Sequence, residues 1–261
     1  FLLGIIISAF INLWLGKTFP NSFSPYLAFA WLLSFQIVLF LIGGGLGLRS
    51  VSSSDWNGLL LTLLMAAISI VLSFPIGILL ALGRTSDLPV VKWFSILYIE
   101  IIRGLPLIGI LFLAQVMLPL FLPIRLDRVL RGVAGLILFS AAYMAENVRG
   151  GLQSVPRGLV EAAKVLGLNP ALVLLLIVLP QALRAVIPAI VGQFIGLFKD
   201  TSLLSLVGLL ELTGIARSIL AQPEFLGRYA EVYLFIGLIY WVFCYSMSLA
   251  SRKLETVSSE Q

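Results

Sequence analysis

Few side chains in this chain can do chemistry. Histidine is absent, and the single cysteine, Cys244, lies in an apolar run. Ser–His and Cys–His catalysis, a disulfide framework and a clustered metal site therefore lack their residues. What remains is charge in apolar surroundings. Glu100 and Arg103 stand three apart, as do Glu146 and Arg149, which puts each pair on one helix face. Ionisable groups at membrane depth are costly unless paired or hydrated, and they face a bundle interior or a pathway. Glu100 and Arg103 read as a structural ion pair. For Glu146 two readings stand: a packing pair with Arg149, or a carboxylate lining a route and meeting a cationic group of a solute. Lys199, Asp200, Thr201 and Ser202 offer a cation, an anion and two hydroxyls at one helix end. A zwitterion needs that mixture, yet Asp-Thr-Ser is also an N-cap pattern for a following helix.

One further segment carries a helix code of its own, Val155-Pro-Arg-Gly-Leu-Val-Glu161-Ala162-Ala163-Lys164-Val-Leu-Gly167-Leu-Asn-Pro170. Glu161 to Lys164 are good helix formers, Pro156 suits a helix start, and Gly167 suits a left-handed stop. Asn169-Pro170 then begins the next helix, so two short helices meet at an angle. Small residues at Ala162 and Ala163 let a partner's backbone approach closely, while Glu161 and Lys164 supply polar anchors. An ordinary interfacial loop is the alternative reading.

The elements that position these residues are apolar helices. Of 261 residues, 60% are hydrophobic and 11% charged, whereas a soluble domain carries about 25% charged residues. Apolar runs of about 20 residues match a hydrocarbon core about 30 Å thick. The fold class is all-α, a polytopic transmembrane helical bundle; the short alternating strands of a membrane barrel are missing. The net charge of +5 fits loop cations at lipid headgroups, not nucleic-acid binding.

Residues 1–16 read as the tail of a cut-off helix, because the chain starts with Phe1 inside an apolar run and is expected to continue upstream. A second span covers 26–48 and ends in the glycines of 43–47. Further spans follow at 58–83 with a kink at Pro75, at 92–121, at 132–152, at 176–198 and at 232–250. The domain reading is 1–50 as extra N-terminal helices, 58–252 as a core, and 253–261 as a polar tail. With loop 155–170 cytoplasmic, Lys and Arg favour the inside only narrowly. A phosphate-binding Gly-x4-Gly-Lys-Ser/Thr loop is missing: Gly16-Lys17-Thr18 imitates its end, but Ile11 stands where the first glycine belongs. This chain is therefore not expected to hydrolyse ATP itself, and without histidine or clustered acids and nucleophiles it does not read as an enzyme.

Glu161-Ala162-Ala163, Gly167 and Ile177-x-Leu179-Pro180 resemble the signature loop of ABC-importer permeases. Tyr98-x-Glu100-x-x-Arg103-Gly104-x-Pro106-Leu107 resembles a segment of the polar amino acid (histidine/glutamine/arginine-type) permeases. Ala142-Tyr143-Met-Ala145-Glu146-Asn-Val-Arg149-Gly150-Gly151, Leu179-Pro180-Gln181-Ala182 and Lys199-Asp200-Thr201-Ser202-Leu203 resemble three more. Leu159 departs from a Gln common there. The resemblance spans roughly 58–250 and implies a type I importer permease core of about five helices. It implies that Glu161, Ala162, Ala163, Lys164 and Gly167 couple to a dimer of ATP-binding subunits. It also implies a second permease, identical or similar, an extracytoplasmic amino acid-binding protein, an amino acid as substrate and a multi-pass place in the bacterial inner membrane. No cofactor is expected in this chain. An ion-coupled secondary transporter is the alternative, although paired broken helices in inverted repeats are not evident.

Overall fold

The computed structural model describes residues 45–47, 52, 55–121 and 126–259. Two compact units divide the chain, Phe1–Trp56 and Asn57–Gln261, and the second is described here by itself. The expected spans at 1–16 and 26–48 lie outside the described residues, apart from a short turn at Gly45–Gly47.

Helix α1, Gly58–Arg84, continues as one helix through Pro75, the residue expected to kink it. At 1.5 Å per residue its 27 residues extend about 40 Å, enough to cross a bilayer core. Helix α2, Pro89–Gly104, and α3, Leu107–Phe121, pass as a single span only as a bent pair, at 104°. The bend follows from Pro106, whose ring forces the preceding Leu105 into extended geometry (φ −101°, ψ 141°). Helix α4, Arg128–Ser154, starts where Asp127 accepts the Val129 N–H at 2.7 Å. A short α5, Arg157–Val165, leads to α6, Pro170–Ala185, and α7, Ile187–Asp200, which continues as a tighter helix over Thr201–Val207. Helices α8, Leu212–Leu220, and α9, Tyr229–Ser259, complete the described chain. Among the described residues, four helices are long and apolar enough to cross a membrane, five with the bent pair.

Prolines shape two spans by what they lack. Residues Leu113–Met117 and Val173–Val178 form widened turns just before Pro119 and Pro180. A proline has no N–H for the carbonyl four residues back, and its ring crowds that carbonyl. Four before Pro119 is Gln115, whose freed carbonyl accepts Arg131 Nη1 from α4 at 2.5 Å. The Gln115 amide donates in turn to the Arg128 carbonyl at 2.6 Å. A missing hydrogen bond inside α3 thus becomes a tie between α3 and α4. Pro188 acts similarly at Val186 (φ −111°, ψ 10°), splitting the single span expected over 176–198 into α6 and α7.

Helix α4 is the centre of the bundle: 56% of its apolar window is buried, against 6% for α9. Its Met144, Ala145 and Val148 pack with Ala81, Ile99 and Ile190 from α1, α2 and α7. At the Gly58 end of α1, a buried carboxylate joins α8 to α9. Glu211 accepts the Thr213 and Gly214 N–H groups at 2.9 and 2.8 Å and the Tyr240 hydroxyl at 3.2 Å. The Leu212 N–H donates to Thr62 Oγ1 at 3.0 Å, tying α8 to α1. Burial pushes the Glu211 carboxyl above its ordinary pKa, and those donors oppose the shift.

Adjacent glycines near the end of α4 differ in role. A Cβ on Gly151 would press into the Ala182 carbonyl of α6, a backbone group that cannot swing away, whereas Gly150 faces open space. Gly151→Ala is expected to force α4 from α6 at a cost of about 1–3 kcal/mol. Gly150→Ala should be neutral or slightly stabilising through its better helix propensity. Thermal unfolding of the two variants in detergent checks this, and equal effects would contradict the packing.

Candidate functional site

Two features near one end of the bundle bring the polar residues together. The first is loop 155–170. Helix α5 ends at Gly167 in the left-handed region (φ +79°), which a residue with a Cβ adopts at a cost. There the Leu168 N–H reaches the Ala163 carbonyl at 3.2 Å and the Gly167 N–H reaches Lys164 at 3.0 Å. These two bonds satisfy carbonyls that a helix end otherwise leaves open. Asn169 then starts α6, its side chain accepting the Leu172 N–H at 2.9 Å. Helix α5 packs on the first turns of α6 through a buried Ala163, while Glu161, Ala162 and Lys164 stay exposed. Beside them Val165 and Leu166 are 88% and 80% exposed. These apolar side chains are held outward on a short helix and leave a small apolar patch open at the surface. Leu159, the departure from the permease pattern, is also exposed.

The second feature is an ionic cluster two turns before α4 ends. Glu146 Oε1 accepts Arg84 Nη1 of α1 at 2.8 Å. Its Oε2 accepts Arg149 Nε and Nη2 at 3.0 and 2.8 Å and lies 3.6 Å from Arg103 Nη1 of α2. Arg84 Nη1 also meets Glu100 Oε1 at 3.0 Å. The Arg103 guanidinium lies 5.4 Å from the centre of the Tyr143 ring, on its face. The Glu146 side chain is only 14% exposed, so its charge is held by partners more than by water. Three arginines against two glutamates leave one excess positive charge.

The structure redistributes the pairs read from spacing. Glu146 and Arg149 do pair within α4. The pairing of Glu100 with Arg103 does not form: Glu100 meets Arg84 and Arg103 meets Glu146, because α2 crosses both α1 and α4 and presents the two side chains to different helices. Arg84 lies one residue past the span expected over 58–83, and nothing in its local sequence names a partner 62 residues away. Glu211 was also missed, although an isolated acid between Leu210 and Leu212 was its signal.

Lys199–Ser202 lie elsewhere. Ile190 of α7 packs at the level of Val148, and Asp200 is ten residues further on, about 15 Å along the helix axis. Lys199 is exposed, Asp200 and Ser202 are half-buried, and Thr201 is buried with its hydroxyl donating to the Phe198 carbonyl at 2.7 Å. Asp200 remains helical and caps nothing with its side chain, since the helix continues instead of starting afresh. Glu146 and Lys199–Ser202 therefore belong to different levels of the bundle.

The model of the binding-protein-dependent transport system inner membrane component family matches residues 73–256. The chain belongs to this family. That membership supports a binding-protein-dependent permease and not the ion-coupled alternative. The chain is 45% identical over 230 residues to the inner membrane amino-acid ABC transporter permease protein YhdY of Escherichia coli, covering 87% of this chain and 63% of that protein. It is 48% identical over 213 residues to the glutamate/glutamine/aspartate/asparagine transport system permease protein BztC of Rhodobacter capsulatus, covering 80% of this chain and 49% of the other. The match thus spans between about half and two thirds of these relatives. A crystal structure of an amino acid ABC transporter with histidines superposes with a TM-score of 0.69 at 32% identity, over 76% of this chain and 91% of that one. The all-α permease fold and a multi-pass inner membrane location follow.

Removing Glu146 leaves three guanidiniums with Glu100 alone among them. Glu146→Ala is expected to lower stability by about 2–3 kcal/mol, somewhat less than for a fully buried pair because the arginines keep partial solvent contact. Glu146→Gln should fall between it and the parent. Thermal unfolding in detergent decides: a Glu146→Ala protein as stable as the parent would show that the cluster holds nothing.

Proposed function

We propose that this chain is the membrane permease subunit of an ATP-driven importer of polar amino acids. The observation that carries the reading is the exposed helix α5, stopped by two backbone bonds around Gly167 and set between the membrane-crossing α4 and the shorter apolar α6 of a family permease. In this reading loop 155–170 faces the cytoplasm and docks on an ATP-binding subunit. Glu161, Ala162, Lys164, Val165 and Leu166 form the contact, and Gly167 fixes the helix that presents them. Two ATP-binding subunits, a second permease, identical or similar, and an extracytoplasmic binding protein complete the machine. ATP is hydrolysed by the partner subunits, and this chain converts their closure into alternating access. The excess positive charge near the loop suits the cytoplasmic side.

Amino acids with polar side chains are the proposed cargo, supported by the likeness to YhdY, an amino-acid permease, and to BztC, a glutamate/glutamine/aspartate/asparagine permease. Lys199, Asp200, Thr201 and Ser202 are the proposed substrate-pathway residues, since an exposed ammonium and a half-buried carboxylate suit a zwitterion. Glu146 suits a bracing role better, because its oxygens already face three arginines and a solute ammonium would have to displace one.

Gly167 offers the direct test. Gly167→Val strains the left-handed stop and should reduce co-purification of the ATP-binding subunit roughly tenfold, while Gly167→Asn, which tolerates that geometry, should retain most of it. Full co-purification with Gly167→Val would overturn the docking role of α5.

A further inference from the structure

We propose that Arg84 is a positioning residue that makes the bent span follow the coupling helix, carrying movement from loop 155–170 into α2. The inference rests on the permease reading above and names the contact through which its energy is passed on.

Arg84 is the last residue of α1, and its single Nη1 atom meets two carboxylates from two other helices, Glu146 of α4 at 2.8 Å and Glu100 of α2 at 3.0 Å. Among the described residues Glu146 also joins these three helices by ion pairs, but it reaches α2 only through the longer contact with Arg103 at 3.6 Å. Below the cluster, α4 runs eight residues from Glu146 to Ser154, about 12 Å of rigid helix, and then enters the docking loop. Gly151 locks that stretch against the Ala182 carbonyl of α6. A push on α5 therefore reaches Glu146 with little slack. Above the cluster, Glu100 and Arg103 belong to the last turn of α2, directly before the 104° bend at Leu105. Arg84 and Arg103 thus hold the limb of the bent span next to its hinge.

Apolar packing alone would let this limb slide. Ile99 contributes to the shared core, but Trp93, Phe94 and Leu97 of the same helix are exposed. Directional contacts between α2 and the rest of the bundle are concentrated here, together with the Tyr98 hydroxyl, which donates to the Leu138 carbonyl of α4 at 2.7 Å. Charge-assisted bonds fix distance and direction in a way that apolar contact does not. With the tie intact, α1, α2 and α4 move as one body. Without Arg84, α2 keeps only the longer Arg103 contact and the Tyr98 bond to α4, and it follows the docking helix less closely.

The test uses the complete complex, reconstituted in liposomes with its ATP-binding subunits, second permease and binding protein. The readout is amino acid taken up per ATP hydrolysed. Arg84→Ala is expected to keep hydrolysing ATP while this ratio falls roughly tenfold, within the range of coupling between linked sites. Arg84→Lys, which keeps a charged nitrogen, should recover part of the ratio. An unchanged ratio in Arg84→Ala, or a proportional fall of hydrolysis and uptake, would overturn the inference. Glu100→Gln removes only the more exposed arm and covers the case in which Arg84→Ala does not assemble. A smaller fall in the same ratio supports the proposal there, and an unchanged ratio overturns it. A parent complex that takes up no amino acid would instead refute the permease reading.

Discussion

A carboxylate with 14% of its side chain exposed cannot hold its charge on water alone, and Glu146 meets that constraint by recruiting three guanidiniums. Arg149 comes from its own helix, one turn on, and costs little to place. Arg84 and Arg103 come from α1 and α2, so neutralising one charge requires those helices to converge on α4. Ion pairs of this kind add modest net stability, because desolvation offsets most of the Coulomb gain. Their effect is geometric: removing one member strands the others. The position of α2, which α1 and α4 do not fully cover, depends on this cluster.

The opposite end of α1 is held by the start of α8, where the Leu212 N–H bonds Thr62 beside another carboxylate with different partners. Glu211 is fully buried and faces two backbone N–H groups and a tyrosine hydroxyl. No ion pair is needed there because a helix N-terminus supplies the donors. The two ends of α1 are therefore pinned by different chemistry, a hydrogen bond from the α8 terminus at one and the ion pairs of Arg84 at the other. Between them lies the bent span, with a proline-set hinge and a second proline that exposes the Gln115 carbonyl to Arg131. Rigid ends around a jointed span suit the proposed alternation between states.

Much of this architecture was legible in the sequence. The 27 residues of α1 and of α4 announce themselves by length and apolarity, and Gly167 with Asn169-Pro170 marks the helix stop and restart. The 104° bend was only half legible: Pro106 signals a break, but its angle depends on where α2 finds partners. Pairing failed for a physical reason. Spacing along one helix places Glu100 beside Arg103, yet a carboxylate takes whichever guanidinium packing brings nearest, and helix crossing decides that. The partners of Arg84, just past the span expected over 58–83, are hidden from its local sequence for the same reason. The Asp200 cap failed because α7 does not end there, a matter of tertiary burial that its local string does not encode.

The central claim is that α2 and α4 move together when the ATP-binding subunits close. Spin labels at Leu97→Cys and Gly150→Cys, in a Cys244→Ser background, report this directly in the reconstituted complex; Leu97 is exposed and Gly150 faces open space. The account predicts that the distance between these labels stays constant on ATP binding, while the distance from Leu97 to a label on the second permease changes. A change of several ångströms between Leu97 and Gly150 themselves would contradict it.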